Sequence, residues 1–232
     1  MCAVRCLPTG TAGPCLDPLM LDANGLSHSP KVTRRVDGNL ERSPFAAING
    51  IVIHQTAAPT AQHTFNSYAR TSPAPHGAHF LIAKDGTIYQ TASLFRRTVH
   101  VGKIKSRCLA QGFCPPVDPK RPTPQQEAAY VRTLGPTKLH DYEKTKPFPQ
   151  RYPMNADALG IELVGTTVGP DPAHPNELLF EPVTAAQNAS LTWLVDALSK
   201  QFGIGFQHVL RHPVVSWKTP SEARTATWRP VQ

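Results

Sequence analysis

Ile51-Val52-Ile53 is an unbroken run of β-branched residues that ends in His54, and small or polar side chains follow it in Gln55-Thr56-Ala57. β-Branched residues are stiff at χ1 and fit a pleated surface, so a bounded apolar run of this length reads as a buried strand. The strand end also matters for chemistry. An imidazole there is held by a rigid element and can turn toward a cleft, as a metal ligand or general base must. Taken alone, a satisfied core histidine is the commoner reading. The rest of the chain has to supply partners.

Similar segments recur downstream. His79-Phe-Leu-Ile-Ala-Lys-Asp-Gly-Thr-Ile-Tyr-Gln90 reads as a hairpin turning at Asp85-Gly86, because Asp-Gly readily supplies the positive φ of a tight turn. A short strand is expected over 98–102. Ala158 to Gly165 is a further buried strand interrupted by Glu162, and Phe206 to His212 is a strand that again ends in histidine. Helices are expected over 60–70, near 124–133, and after Thr184-Ala-Ala-Gln187, a capping-box pattern. Leu191, Leu194, Val195 and Leu198 follow that box at helical spacing, and Gly203 ends the helix. Strands mixed with helices predict an α/β fold, a central mixed sheet flanked by helices. Residues 1–45, rich in Pro, Gly and Ser, read as a poorly structured lead-in to a domain over 46–232. Residues 103–156, rich in Pro and charge, read as a long loop insertion.

Charge and composition narrow the function classes. The net charge is +8, which favours a polyanionic partner such as nucleic acid, anionic lipid or an acidic wall polymer. No Lys/Arg run exceeds two residues and no aromatic-basic clustering occurs, which argues against nucleic acid. No apolar stretch is long enough to span a membrane. The N-terminal segment lacks a signal-peptide pattern, since Pro8, Gly10, Gly13, Pro14, Asp17 and Pro18 interrupt it; export by a signal-independent route is the expectation. Five cysteines cannot all pair within the chain. Cys108 and Cys114 are either a small disulfide-closed loop in an oxidising compartment or two free thiols.

Three strand-borne polar residues stand out: His54, Glu162 and His212. Two neutral imidazoles and one further ligand, with a fourth position open, make a catalytic zinc site. Zinc acidifies water and polarises a carbonyl, and Glu162 would be the general base. A carboxylate buried without a partner is otherwise difficult to explain.

Ile51–Ala57, His79–Gln90, Val99-His-Val-Gly102, Leu159-Gly-Ile-Glu-Leu-Val-Gly165, Thr184–Gln187 and Arg211-His-Pro-Val-Val-Ser-Trp-Lys-Thr219 occur in that order. Together they resemble the signature segments of zinc-dependent N-acetylmuramoyl-L-alanine amidases of the amidase-2 type, whose fold peptidoglycan recognition proteins share. The resemblance covers roughly residues 45–230. It implies that His54 and His212 are zinc ligands, that Glu162 assists the attacking water, and that Lys218 stabilises the oxyanion. In the family a Cys or Asp follows the second histidine by eight to ten positions, two after the lysine. Here Pro220 stands two after Lys218, so Glu222, ten after His212, is the expected third ligand, with His208 the alternative. His79 and His100 are expected beside the substrate. Lys103, Lys105 and Arg107 either form a basic wall or lie in a solvated loop.

The implied function is cleavage of the amide between N-acetylmuramic acid and L-alanine in peptidoglycan, in the periplasm or outside the cell. A secreted antibacterial effector is the preferred setting, with an immunity protein or a secretion-machinery carrier as further partners. The alternatives are a phage endolysin and a non-catalytic muropeptide-binding module of the same fold.

Overall fold

The computed structural model describes residues 18–70 and 75–229. Its core is a six-stranded mixed sheet in the order β1-β4-β3-β5-β2-β8. The strands are β1 (Val32–Arg34), β2 (Gly50–Gln55), β3 (Phe80–Ile82), β4 (Ile88–Gln90), β5 (Ala158–Leu163) and β8 (Val209–Arg211). Only the β3–β4 hairpin is antiparallel; β1–β4, β3–β5, β5–β2 and β2–β8 are parallel. A separate hairpin pairs β6 (Thr167–Asp171) with β7 (His174–Phe180). The helices are α1 (Ala61–Tyr68), α2 (Arg107–Ala110), α3 (Pro124–Thr133), α4 (Pro136–Glu143), α5 (Ala185–Phe202) and α6 (His212–Val215). The expected mixed sheet with flanking helices is therefore present.

Alternation along β2 and β5 divides the core into two layers. Side chains of a strand point to opposite faces in turn. Ile51 and Ile53 of β2, with Leu159, Ile161 and Leu163 of β5, pack with Leu191, Leu194, Val195 and Leu198 of α5. Val52 and Ala158 belong to a second cluster with Val101, Ile104, Tyr152 and Val215. His54 and Glu162 share the parity of Val52 and Ala158, and they are direct register partners. Helix α5 is fixed at its start by the Thr184–Gln187 capping box, and the Gln187 amide also donates to the carbonyls of Ile82 and Val164. At its other end Gly203 takes a left-handed conformation, φ 66°, where a Cβ would be strained.

Several expectations need correction. The segment read as a lead-in joins the domain over its described part: Val32–Arg34 pairs with β4, and Leu19, Val32 and Leu40 are buried. Sparse apolar residues among Pro, Gly and Ser are enough to anchor it. Residues 1–17, with Cys2, Cys6 and Cys15, lie outside the described residues. The insertion is not a loop. Besides the expected α3, it holds α2 and α4, and Pro136 occupies the first turn of α4, where a missing N–H is harmless. Cys108 and Cys114 are joined as a disulfide. Residues 98–102 form no strand. The expected strand over 206–212 shortens to Val209–Arg211, and His212 opens α6, because Pro213 cannot continue a ladder and suits a helix start.

Candidate metal centre

His54 leaves the C-terminal part of β2, and His212 begins α6 just beyond the neighbouring β8. Their Nδ1 atoms approach to 2.8 Å. Glu222 enters from the turn after Pro220, with Oε1 3.0 Å from His212 Nδ1 and 3.6 Å from His54 Nδ1. All three residues are buried. That turn contains Ala223 in the left-handed region, φ 52°, and Ala57 just after β2 shares this conformation, φ 53°. Such residues are strained by on the order of 1 kcal/mol or more and tend to collect at functional sites. They are the two non-glycine residues among those described with positive φ, and both border this centre.

Proton accounting decides what the centre can hold. His212 Nε2 donates to the Val101 carbonyl at 2.8 Å, which leaves its Nδ1 lone pair facing inward. His100 Nε2 donates to the Ala158 carbonyl at 3.1 Å, so His100 Nδ1 must accept from His54 Nε2, 2.9 Å away. The Nδ1 lone pair of His54 therefore also faces inward. Two lone pairs and a carboxylate converging within 4.8 Å repel one another unless a cation lies among them. A borderline metal such as zinc suits these nitrogen and oxygen donors. Burial, reinforced by the charge of His212, lowers the His54 imidazole to about 4 against the pull of Glu222, so its ring is neutral at neutral pH. Burial raises the Glu222 carboxyl, but hydrogen bonds and charge from His212 and His54 outweigh it and hold the group at about 2.

The centre forms one wall of a cleft of about 470 Å³, within the usual size of ligand sites. Glu162 and Lys218 line the same cleft. Glu162 Oε2 is shielded from solvent and has no hydrogen-bond partner. Burial, then the nearby Glu222 charge, raises its carboxyl to about 8, while Lys218 pulls it down. The cleft thus brings together an imidazole pair, an ionised carboxylate, a carboxyl poised near neutrality and an exposed lysine.

Other expected residues lie elsewhere. His79 is fully buried and does not line the cleft: one ring nitrogen accepts from the Gly160 amide at 3.0 Å and the other donates to the Arg96 carbonyl at 2.9 Å. His100 reaches the cleft, but both ring nitrogens are taken by His54 and Ala158. His208 is turned away, with Nδ1 3.4 Å from Arg107 and its ring against Phe148, so it is no substitute for Glu222. Arg107 packs inward near Phe148 and Tyr152, Lys105 donates to the Pro213 carbonyl and Lys103 to Thr137. His76, Phe180 and Thr219 line the cleft without having been singled out.

The family model described as N-acetylmuramoyl-L-alanine amidase matches residues 44–230. No curated protein matches the sequence. Among solved structures, the endolysin N-acetylmuramoyl-L-alanine amidase LysCS from Clostridium intestinale is 19% identical, covering 88% of this chain and 91% of that one, with a TM-score of 0.42. An AmpD derivative is 16% identical over 87% of this chain and 93% of its own, with a TM-score of 0.49. The Escherichia coli amidase AmiD, solved with an anhydro-N-acetylmuramic acid peptide substrate, is 16% identical over 75% of this chain and 51% of its own, with a TM-score of 0.45. Among the described residues no helix is long and apolar enough to cross a membrane.

Proposed function

The chain belongs to the N-acetylmuramoyl-L-alanine amidase family, and from that premise we propose that it is a zinc-dependent peptidoglycan hydrolase, exported as an antibacterial effector, that cuts between N-acetylmuramic acid and L-alanine. The observation that carries this reading is the convergence of His54, His212 and Glu222 in a cleft that also holds Glu162. A zinc ion held by those three residues would supply a Lewis acid that polarises the scissile carbonyl and lowers the pKa of water.

The chain's own groups supply the proton transfers and the charge balance. Glu162 takes the proton of the attacking water on its unpartnered carboxylate oxygen and returns it to the departing amide nitrogen. Burial raises this carboxyl to about 8 without metal, and a cation at the centre would pull it down toward the ionised form that accepts the proton. Lys218, exposed at the cleft, places positive charge where the tetrahedral oxyanion develops. A module that only binds muropeptide needs neither the Glu222 carboxylate nor a strained carboxyl at Glu162, so the catalytic reading is the better supported.

Two features support action on the cell wall. The net charge of +8 suits a polyanionic substrate, and the Cys108–Cys114 disulfide suits an oxidising compartment. Digestion of purified sacculi tests the proposal. New L-alanine amino termini should appear without new reducing ends, and chelation should stop their release. Reducing ends would instead reveal a glycosidase.

A further inference from the structure

Resting on the reading that His54, His212 and Glu222 hold a metal, we infer that the dipeptide His100–Val101, clamped by Asn155, positions both imidazole ligands as one unit. The side chain of His100 accepts from His54, and the backbone carbonyl of Val101 accepts from His212. Two consecutive residues thus fix the tautomers of ligands that are 158 positions apart in sequence. Both partners leave Nδ1 bare toward the centre.

One side-chain atom holds both backbone amides of the dipeptide. Asn155 Oδ1 accepts from the amide of His100 at 2.9 Å and from the amide of Val101 at 2.8 Å. Two N–H donors on one atom identify it as the amide oxygen. No ladder partner supplies these bonds, because residues 98–102 belong to no strand. Gly160 completes the arrangement: a Cβ there would lie 2.8 Å from His100 Nδ1 and 2.9 Å from its Cγ, so β5 must carry glycine for the imidazole to reach His54. Asn155 directs its hydrogen bonds to the amides of His100 and Val101 and not to His54 or His212. It is a positioning residue that acts through the peptide units between them, and outer partners of this kind are worth about 10- to 100-fold in metal affinity.

The test uses the full chain, with zinc as the probe in competition with a chromophoric chelator. Asn155→Ala should weaken zinc binding about 10- to 100-fold. Asn155→Asp, which keeps an acceptor for both amides, should stay close to wild type. In the metal-free protein, ¹⁵N spectra of His54 should show a proton on Nε2, and Asn155→Ala should mix the two tautomers. His100→Phe removes the acceptor directly and should loosen zinc to a similar extent. Wild-type affinity in a folded Asn155→Ala variant, or a proton on His54 Nδ1 in the wild type, would overturn the inference. A wild-type protein that takes up no zinc would overturn the metal reading itself, which separates the two failures.

Discussion

The two faces of the central sheet are built by the same strands and hold opposite chemistry. Toward α5, β2 and β5 present Ile51, Ile53, Leu159, Ile161 and Leu163 to the apolar side chains of that helix. Toward the cleft, the residues between them are Val52, His54, Ala158, Gly160 and Glu162. The first face gains stability from apolar burial; the second gives some of it up to keep a carboxyl and an imidazole out of water. A register slip of one residue would exchange the two, which explains why parallel pairing over six consecutive residues fixes His54 opposite Glu162.

Substitutions on each face should separate the two contributions. The largest effect is expected from His54→Ala, which should abolish zinc binding and reduce wall hydrolysis to background, while thermal unfolding of the metal-free protein changes little. Metal analysis and a melting curve on the same sample check both halves. Next is Glu162→Gln, which should retain zinc and lower turnover by about 10²- to 10⁴-fold. It also carries a stability signature. The unfolded chain releases this proton near 4.5, whereas the buried group keeps it to about 8. The folded state therefore binds the extra proton between those values, and stability falls as pH rises through that window. Without zinc, the glutamine variant should gain stability relative to wild type from pH 4.5 upward; a gain that shrinks with pH would contradict the assignment.

On the opposite face, Leu194→Ala should remove about 2–5 kcal/mol of stability and leave the zinc stoichiometry of the folded protein intact, as denaturant melts with metal analysis would show. The smallest change is expected from Ala57→Gly at the cleft lip. Relief of the left-handed backbone is offset by the greater unfolded-state freedom of glycine, leaving a gain below about 1 kcal/mol. A marked loss of stability there would mean that the Ala57 methyl packs rather than strains.

Much of the centre could be read from the chain because its residues sit on strongly patterned elements. His54 and Glu162 break apolar strands, and His212 and Glu222 lie ten positions apart in one short segment. The capping box of α5 and the Asp85-Gly86 hairpin are likewise local signals. What escaped reading depends on distant backbone. The Val101 carbonyl carries no side-chain mark, and Asn155 sits at the end of a Pro-rich stretch that resembles a loop. His79 was misplaced because a histidine opening a strand reads the same whether it faces a cleft or the Gly160 amide. Strand β1 was hidden by its Pro- and Gly-rich surroundings, although Val32 alone seals its inner side.

The stitching between the insertion and α6 bears on how far this domain can be simplified. The Lys105 amide donates to the Val215 carbonyl, Ser216 Oγ donates to the Lys103 carbonyl, and Ile104 bridges to Ser216. The insertion is therefore no detachable cassette. Anyone building a minimal version by splicing a short connector across 103–156 would leave the stretch between His212 and Lys218 without its lateral bracing, and that connector would have to include replacement donors and acceptors at those three positions.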